Sequence, residues 1–404
     1  MSGKRNLLEG EDIAMGSVIS RRSALTLIAG LPLLGHTAAW AQGGKPIRIG
    51  FIHAMTGEWS TTSLYIKNGI YMARDEWNAK GGINGRPISL IEEDDASKTA
   101  GAVTAYNKVI TQDICAMFGQ TYSTQVLAEA PFIIKTGVPY VFSATNPKIT
   151  HMGNKWMFRL RTNDEVVGQI LAHYVVDKLK LKRVALTYGN EEYGRTGAKV
   201  VEDTLKSLGV TPVAITTHTP NDKDFTAQML NMKKADAQCI ISYCFVQEHG
   251  LMIKQKHELA MDNVVYFGSP TMTTPITMKL AGEAADYNVY GVADWVRTDP
   301  RPESLAWVKK YEPKFKIDAN NYSAVYYDGA NMLFGAIAKV GTDPEAIRKE
   351  MLQIKGYKGI GYTYSFPPDG DGPHATTIVK FEKGDFKIIE TAFEKGFGPD
   401  GPLA

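Results

Sequence analysis

Small hydroxyl residues collect where apolar runs of this chain stop. The run VPYVF (138–142) gives way to Ser143-Ala144-Thr145-Asn146-Pro147. Asn146 reads as an N-cap and Pro147 as a first helical residue, where its missing N–H costs nothing. The hydroxyls of Ser143 and Thr145 are at the same time donors for a polar or anionic group. Two similar junctions are Thr56-Gly57-Glu58-Trp59, after IRIGFIHA (47–54), and Gln120-Thr121-Tyr122-Ser123, after CAMFG (115–119). Further along, the corresponding junctions are Glu192-Tyr193-Gly194, Phe245-Val246-Gln247 and Ser269-Pro270-Thr271. Hydroxyls dominate the first set, and aromatic or apolar groups the second.

Catalytic patterns are thin. Neither G-x-S-x-G nor H-E-x-x-H occurs, and His257-Glu258 lacks a second histidine. GNEEYGRT (189–196) has the glycine spacing of a phosphate-binding loop. However, Arg195 replaces the lysine, and Glu191 and Glu192 would set negative charge beside the phosphates. This stretch reads better as a loop that ends a strand and exposes Tyr193. EEDDA (92–96) alternates faces and reads as a solvated strand edge rather than a metal site. Cys115, Cys239 and Cys244 lie in apolar strand-like runs, as buried free thiols would, and are not at zinc-ligand spacing with any histidine pair. No metal or other cofactor is expected.

The elements that carry these junctions alternate. IRIGFIHA, a helix near 64–80, PISLIEEDD (87–95), a helix near 99–112, CAMFG and a helix from Ser123 make a βαβα series. Its continuously apolar strands point to a parallel sheet covered on both faces. The alternation restarts after Arg161 with RVALTYG (183–189), TPVAITTH (211–218), AQCIISYCF (237–245) and NVVYFG (263–268). The fold class is therefore α/β, with two doubly wound parallel-sheet lobes. TTIVKFEKGDFKIIE (376–390) reads as a hairpin turning at Lys383-Gly384-Asp385. In open sheets of this kind, ligands sit beyond the carboxyl ends of the strands, where helix N-termini offer free N–H groups. The six junctions above lie there.

Bulk properties agree with an exported globular protein. The chain has 404 residues, 44% hydrophobic and 22% charged, enough for two cores. Ser20-Arg21-Arg22 precedes an apolar stretch from Ala24 to Leu34 that ends near Ala39-Trp40-Ala41. This is the pattern of an export signal cut before Gln42; the paired arginines resemble a twin-arginine signal, with ordinary secretion as the alternative. The apolar stretch is about a dozen residues, against roughly 20 for a membrane span. Residues 1–41 hold four basic and three acidic residues, leaving 41 basic against 40 acidic, which gives no support for nucleic-acid binding.

Several segments, in order, resemble the periplasmic branched-chain amino-acid binding protein family of ABC importers. They are IRIGFIHAMTGEW, NGIYMARDEWNAKGGINGRPISLIEEDDAS, FGQTYSTQVLAEAPFIIKTGVPYVFSATNPKIT, FRLRTNDEVVGQILAHYVV, RVALTYGNEEYGRTG and DFTAQMLNMKKADAQCIISYCF. The resemblance implies a type I periplasmic-binding-protein fold, whose lobes are joined by three crossings, here near 162–164, 293–296 and 364–368. The lobes would then be 45–163 with 295–366, and 164–294 with 367–404. It implies a monomeric, periplasmic, non-enzymatic protein that closes over a small solute and hands it to a membrane permease and its ATPase. A ligand sensor for a membrane receptor and an exported amide hydrolase are the competing readings.

By the same resemblance, Ser123, Ser143 or Ala144, and Thr145 match the positions that hold the ligand carboxylate, and Tyr193 matches the aromatic that covers the cleft. Trp59, Thr62, Tyr122 and Phe245 are further candidates. One departure bears on the ligand. Amino-acid binders carry an acid after the strand that corresponds to VVYFG, and here the position reads Ser269-Pro270-Thr271. A buried ammonium without an ionic partner is costly. A free amino acid therefore requires a substitute such as Glu192, Glu248 or Asp294, and an amide, urea or an aromatic carboxylate stays open.

Overall fold

The computed structural model describes residues 44–395 and the backbone of two short strands, 397–398 and 401–402. The export signal expected over 1–41 lies outside the described residues. Among the described residues, no helix is long and apolar enough to cross a membrane.

The first half runs β1 (Ile47–His53), α1 (Ser60–Ala79), β2 (Ile88–Asp94), α2 (Thr99–Val109), β3 (Ala116–Phe118), α3 (Ser123–Thr136), β4 (Tyr140–Phe142), α4 (Lys148–His151) and β5 (Met157–Arg159). The strands pair in parallel in the order β2-β1-β3-β4-β5. The second series runs α5 (Asp164–His173), β6 (Val184–Gly189), α6 (Glu192–Ser207), β7 (Ala214–His218), α7 (Thr226–Lys234), β8 (Cys239–Tyr243), α8 (Val246–Glu258), β9 (Val265–Gly268), α9 (Pro275–Ala281) and β10 (Val289–Ala293). Then come α10 (Pro302–Phe315), α11 (Asn321–Val340), α12 (Pro344–Met351), a small ladder of β11 (Tyr357–Lys358) with β12 (Thr363–Tyr364), and a hairpin of β13 (Ala375–Glu382) and β14 (Asp385–Phe393).

The second sheet has seven strands in the order β14-β13-β10-β9-β8-β6-β7, with only the hairpin antiparallel. Each sheet has its own apolar layers. Ile49, Phe51 and Phe118 of the first sheet pack with Tyr326, Leu333 and Ile337 of α11 and with Phe366. Residues 321–366 thus return to the first sheet, although they follow β10 of the second. Two lobes of parallel α/β sheet result.

Two local expectations need correction. EEDDA is a solvated edge only in part: β2 is an edge strand and Glu92, Glu93 and Asp94 are half-buried, but Asp95 is fully buried and accepts from the Gln120 side chain, and Glu92 takes His53 at 2.9 Å and Lys67 at 2.8 Å. The partners that make such burial tolerable lie on β1, α1 and the loop after β3, far away in sequence. Tyr193 is likewise not an exposed loop residue. Glu191 caps α6 by accepting from the N–H groups of Tyr193 and Gly194, each at 2.7 Å, which pulls Tyr193 into the first helical turn and leaves it 4% exposed. The helix expected at Asn146-Pro147 is the single turn α4, with Asn146 Oδ1 accepting from the Lys148 N–H at 2.9 Å.

Candidate functional site

The aromatic candidates from both lobes meet. Trp59, which precedes α1, stacks on Tyr122, which precedes α3, with ring centroids 3.9 Å apart. Phe245, which leads into α8 of the second lobe, stands edge-on to both at 6.2 and 5.6 Å. Tyr193 lies parallel to Phe245 at 5.9 Å. Four rings from two lobes therefore form one continuous apolar wall. Polar contacts flank it: Asn146 donates to Glu192 Oε1 at 3.2 Å and to Thr196 Oγ1 at 3.0 Å, and Asn221 donates to Glu58 Oε2 at 2.6 Å.

The hydroxyl candidates lie at the ends of β3 and β4. Ser123 Oγ accepts the Asn146 N–H at 3.3 Å, and the Thr145 carbonyl accepts the Asp164 N–H at 2.8 Å. Ser143 is fully buried, and its hydroxyl has no protein partner. Ala144 differs from its neighbours, because its methyl packs in the core with Ile52, Tyr140 and Phe142 and its carbonyl is held by the Arg159 guanidinium. It can offer a ligand only backbone. Thr62 is buried on α1. Pro270 opens a 3-10 turn, Pro270–Met272, and its carbonyl accepts the Thr273 hydroxyl at 3.1 Å.

Charged residues that the sequence reading passed over stand beside this set. Arg161 is 2% exposed and donates through Nε to Asp294 Oδ2 at 2.6 Å, while its Nη2 has no protein partner. Burial works against its charge, but the Asp294 carboxylate outweighs that and raises the guanidinium pKa. Asp294 is fully engaged, since it also accepts from Asn321 at 2.9 Å and from the Tyr362 hydroxyl at 2.7 Å. Asp164 is fully buried on the first turn of α5. Its Oδ1 accepts from the Tyr243 hydroxyl at 2.7 Å, and its Oδ2 has no protein partner. Burial pushes its pKa up to about 6, held from rising further by hydrogen bonds from the Tyr243 and Thr145 hydroxyls and by the nearby arginines.

The position of the missing acid is filled by a neutral chain. Tyr193 donates to Ser269 Oγ at 2.9 Å, and His249 Nε2 lies 3.1 Å from Ser269 Oγ and 3.2 Å from Thr271 Oγ1. His249 Nδ1 meets the Tyr266 hydroxyl at 2.8 Å, and burial pushes the imidazole down to about 3, so it is uncharged. Of the substitutes named from sequence, Glu248 is paired with His218 at 3.1 Å, Asp294 is saturated, and Glu192 takes Asn146. Asp164 is the buried carboxylate beside Thr145 with an oxygen to spare. A concavity of about 1290 Å³, lined by Arg301, Tyr362, Asp371 and Thr376 among others, holds none of the hydroxyl or ring candidates.

Comparison with known proteins places this geometry among relatives. A family model described as periplasmic binding protein matches residues 46–385. The Leu/Ile/Val-binding protein BraC3 of Rhizobium johnstonii is 30% identical over 350 residues, covering 85% of this chain and 94% of the relative. Among solved structures, the branched-chain amino acid transporter substrate-binding protein LivJ of Streptococcus pneumoniae, in complex with isoleucine, is 25% identical, with a TM-score of 0.78 over 86% of this chain and 99% of its own. A solute-binding protein of R. palustris in complex with benzoate shares the fold at 17% identity, with a TM-score of 0.79 over 86% and 97% of the two chains.

Proposed function

The chain belongs to the periplasmic binding protein family, and from that premise we propose that it is the exported solute-capturing component of an ABC importer, taking an apolar α-amino acid between its lobes. The lobes in this reading are 45–163 with 295–366 and 164–294 with 367–404, closing as a monomer over the solute and presenting it to a permease. The solute carboxylate lies toward Ser123, Ser143 and Thr145. Its ammonium turns to Asp164, and its side chain packs against Trp59, Tyr122, Phe245 and Tyr193.

One observation carries the choice of ligand: the buried Asp164 Oδ2, without a protein partner, next to Thr145. A carboxylate so placed meets the need for an ionic partner that the Ser269-Pro270-Thr271 stretch leaves unmet. The relatives named for leucine, isoleucine and valine support the same class. The four-ring wall favours a second reading, an aromatic carboxylate without an amino group.

A thermal-shift screen separates the two. Leucine, isoleucine and phenylalanine, their des-amino acids, benzoate and short amides are each added in excess. A ligand at 100 times Kd adds about 2.7 kcal/mol of apparent stability. Amino acids that shift the melting temperature more than their des-amino partners support the proposal. The reverse order selects the aromatic or simple carboxylate, and no shift with any of them sinks the ligand assignment.

A further inference from the structure

Behind Phe245, on the core side of the second lobe, four side chains converge from three strand ends. Glu191 follows β6, His218 ends β7, Cys244 follows β8, and Glu248 lies in the first turn of α8. Cys244 is fully buried, and Glu248 and His218 are 2% and 4% exposed. One coordinating atom from each of these three lies within 4.8 Å of the other two. Gly189 leaves the space in which they meet. A Cβ there would stand 3.3 Å from Glu191 Oε1, 3.6 Å from His218 Nε2 and 3.7 Å from Glu248 Oε2.

The hydrogen bonds of the cluster leave room for a cation. Each glutamate already accepts two backbone N–H groups: Glu248 those of Asn221 and Phe245, and Glu191 those of Tyr193 and Gly194. Those bonds orient the carboxylates; both Glu191 oxygens keep a further lone pair, whereas Glu248 Oε2 also faces His218 Nε2 and gains one only when the proton leaves that nitrogen. His218 Nε2 faces Glu248 at 3.1 Å, while its buried Nδ1 has no protein partner, so no hydrogen bond on the far side holds the proton on Nε2. The Cys244 thiol meets the Ser242 hydroxyl at 3.3 Å and also hydrogen-bonds toward the Glu248 carboxylate. The His218–Glu248 contact and the Glu191 cap of α6 account for single residues, but neither accounts for an imidazole and a thiol brought together on one buried carboxylate.

We propose that His218, Cys244 and Glu248, with Glu191 as the fourth ligand, form a binding site for a divalent cation of the zinc class. One imidazole, one thiol and carboxylate oxygens match zinc ligation, and sulfur and nitrogen donors disfavour magnesium and calcium. At zinc–ligand distances of about 2.0–2.3 Å, tetrahedral ligand atoms lie roughly 3.3–3.7 Å apart. The His218–Glu248 contact, at 3.1 Å, is close to that spacing, the widest separation among His218, Cys244 and Glu248 has about 1 Å to close, and Glu191 must move further to complete the set. Binding releases the thiol proton and moves the imidazole proton to Nδ1. The ion would tie the start of α6, which carries Tyr193, to the start of α8, which Phe245 precedes, and so fix the second-lobe wall of the cleft.

The test uses cobalt as a spectroscopic stand-in. The purified chain is stripped with chelator, dialysed and titrated with Co(II), and the thiolate-to-cobalt charge-transfer absorption is followed. One equivalent is expected to saturate the band, and zinc is expected to displace it. Cys239→Ser should keep the band, Cys244→Ser should lose it, and His218→Gln should weaken cobalt binding at least tenfold. Circular dichroism confirms that each variant is folded, and His218→Gln serves as the deciding variant if Cys244→Ser is not. A chain that gives no band, a band that survives Cys244→Ser, or unchanged affinity in His218→Gln overturns the site.

Discussion

Asp164 has two tasks in one side chain. Its backbone N–H and Oδ1 tie Thr145 and Tyr243 together, and its Oδ2 stays buried without a protein partner. Asp164→Asn keeps the shape and removes the charge. Because hydrogen bonds to charged groups contribute about 1.5–3 kcal/mol, affinity for an apolar amino acid is expected to fall between about ten- and a hundredfold, with the des-amino analogue nearly unaffected. Isothermal titration of both ligands checks this; an equal loss for the two would show that Asp164 acts on the lobe rather than on the ammonium. Ser143 and Thr145 stood out in sequence as hydroxyls at a strand end, and the family resemblance is what made them ligand candidates rather than a helix cap. Asp164 and Arg161 did not, since in sequence they look like an acid in a helix's first turn and a surface arginine. Only the fold shows that Asp294 and Tyr243, more than seventy residues away, make them buried.

At the scale of elements, α3 is held to β4 by an unusual contact. Glu129, fully buried on α3, accepts from the Tyr140 hydroxyl, and its other oxygen has no protein partner. Burial pushes its carboxyl up to about 8, from an ordinary value of 4.5, so the folded chain holds this proton more tightly than the unfolded one. The contribution is fully present below about pH 4.5 and is lost as pH rises through about 8, by a few kcal/mol at most. Denaturant unfolding at pH 5 and pH 8.5 should therefore show a fall in stability that Glu129→Gln reduces without removing, because Asp164, Glu191 and Asp328 are buried carboxyls pushed up in the same direction; a variant that keeps the whole fall assigns it to those other groups. Strand and helix alternation was readable here because parallel strands buried on both faces are continuously apolar, as in CIISY of β8. The fates of Glu129 and of Asp95 within EEDDA were not, because a buried carboxylate looks like any other until its partners are in place.

The whole molecule is built of two separately packed sheets, which close over the solute in the proposed function. The chain passes between the sheets after β5, after β10 and before β13, and the Arg161–Asp294 pair joins the first two of these passages. Across the cleft the lobes clasp through Glu58 with Asn221, through Asn146 with Thr196 and Glu192, and through the rings. Three crossings were expected from family resemblance alone, because hydrophobic patterning marks the strands but not which sheet each one joins. Clasp and solute contacts favour the same closed arrangement, so weakening the clasp lowers affinity without touching the solute. In the double variant Glu58→Ala/Thr196→Val, one acceptor is lost on each side. At about 0.5–1 kcal/mol for each hydrogen bond lost, Kd is expected to rise roughly five- to thirtyfold for every ligand, mainly through faster release. Stopped-flow dissociation of an amino acid and its des-amino analogue tests this. The ratio of their affinities should not move, because neither residue faces the ammonium, and a changed ratio would make Glu58 or Thr196 part of the ligand's own surroundings.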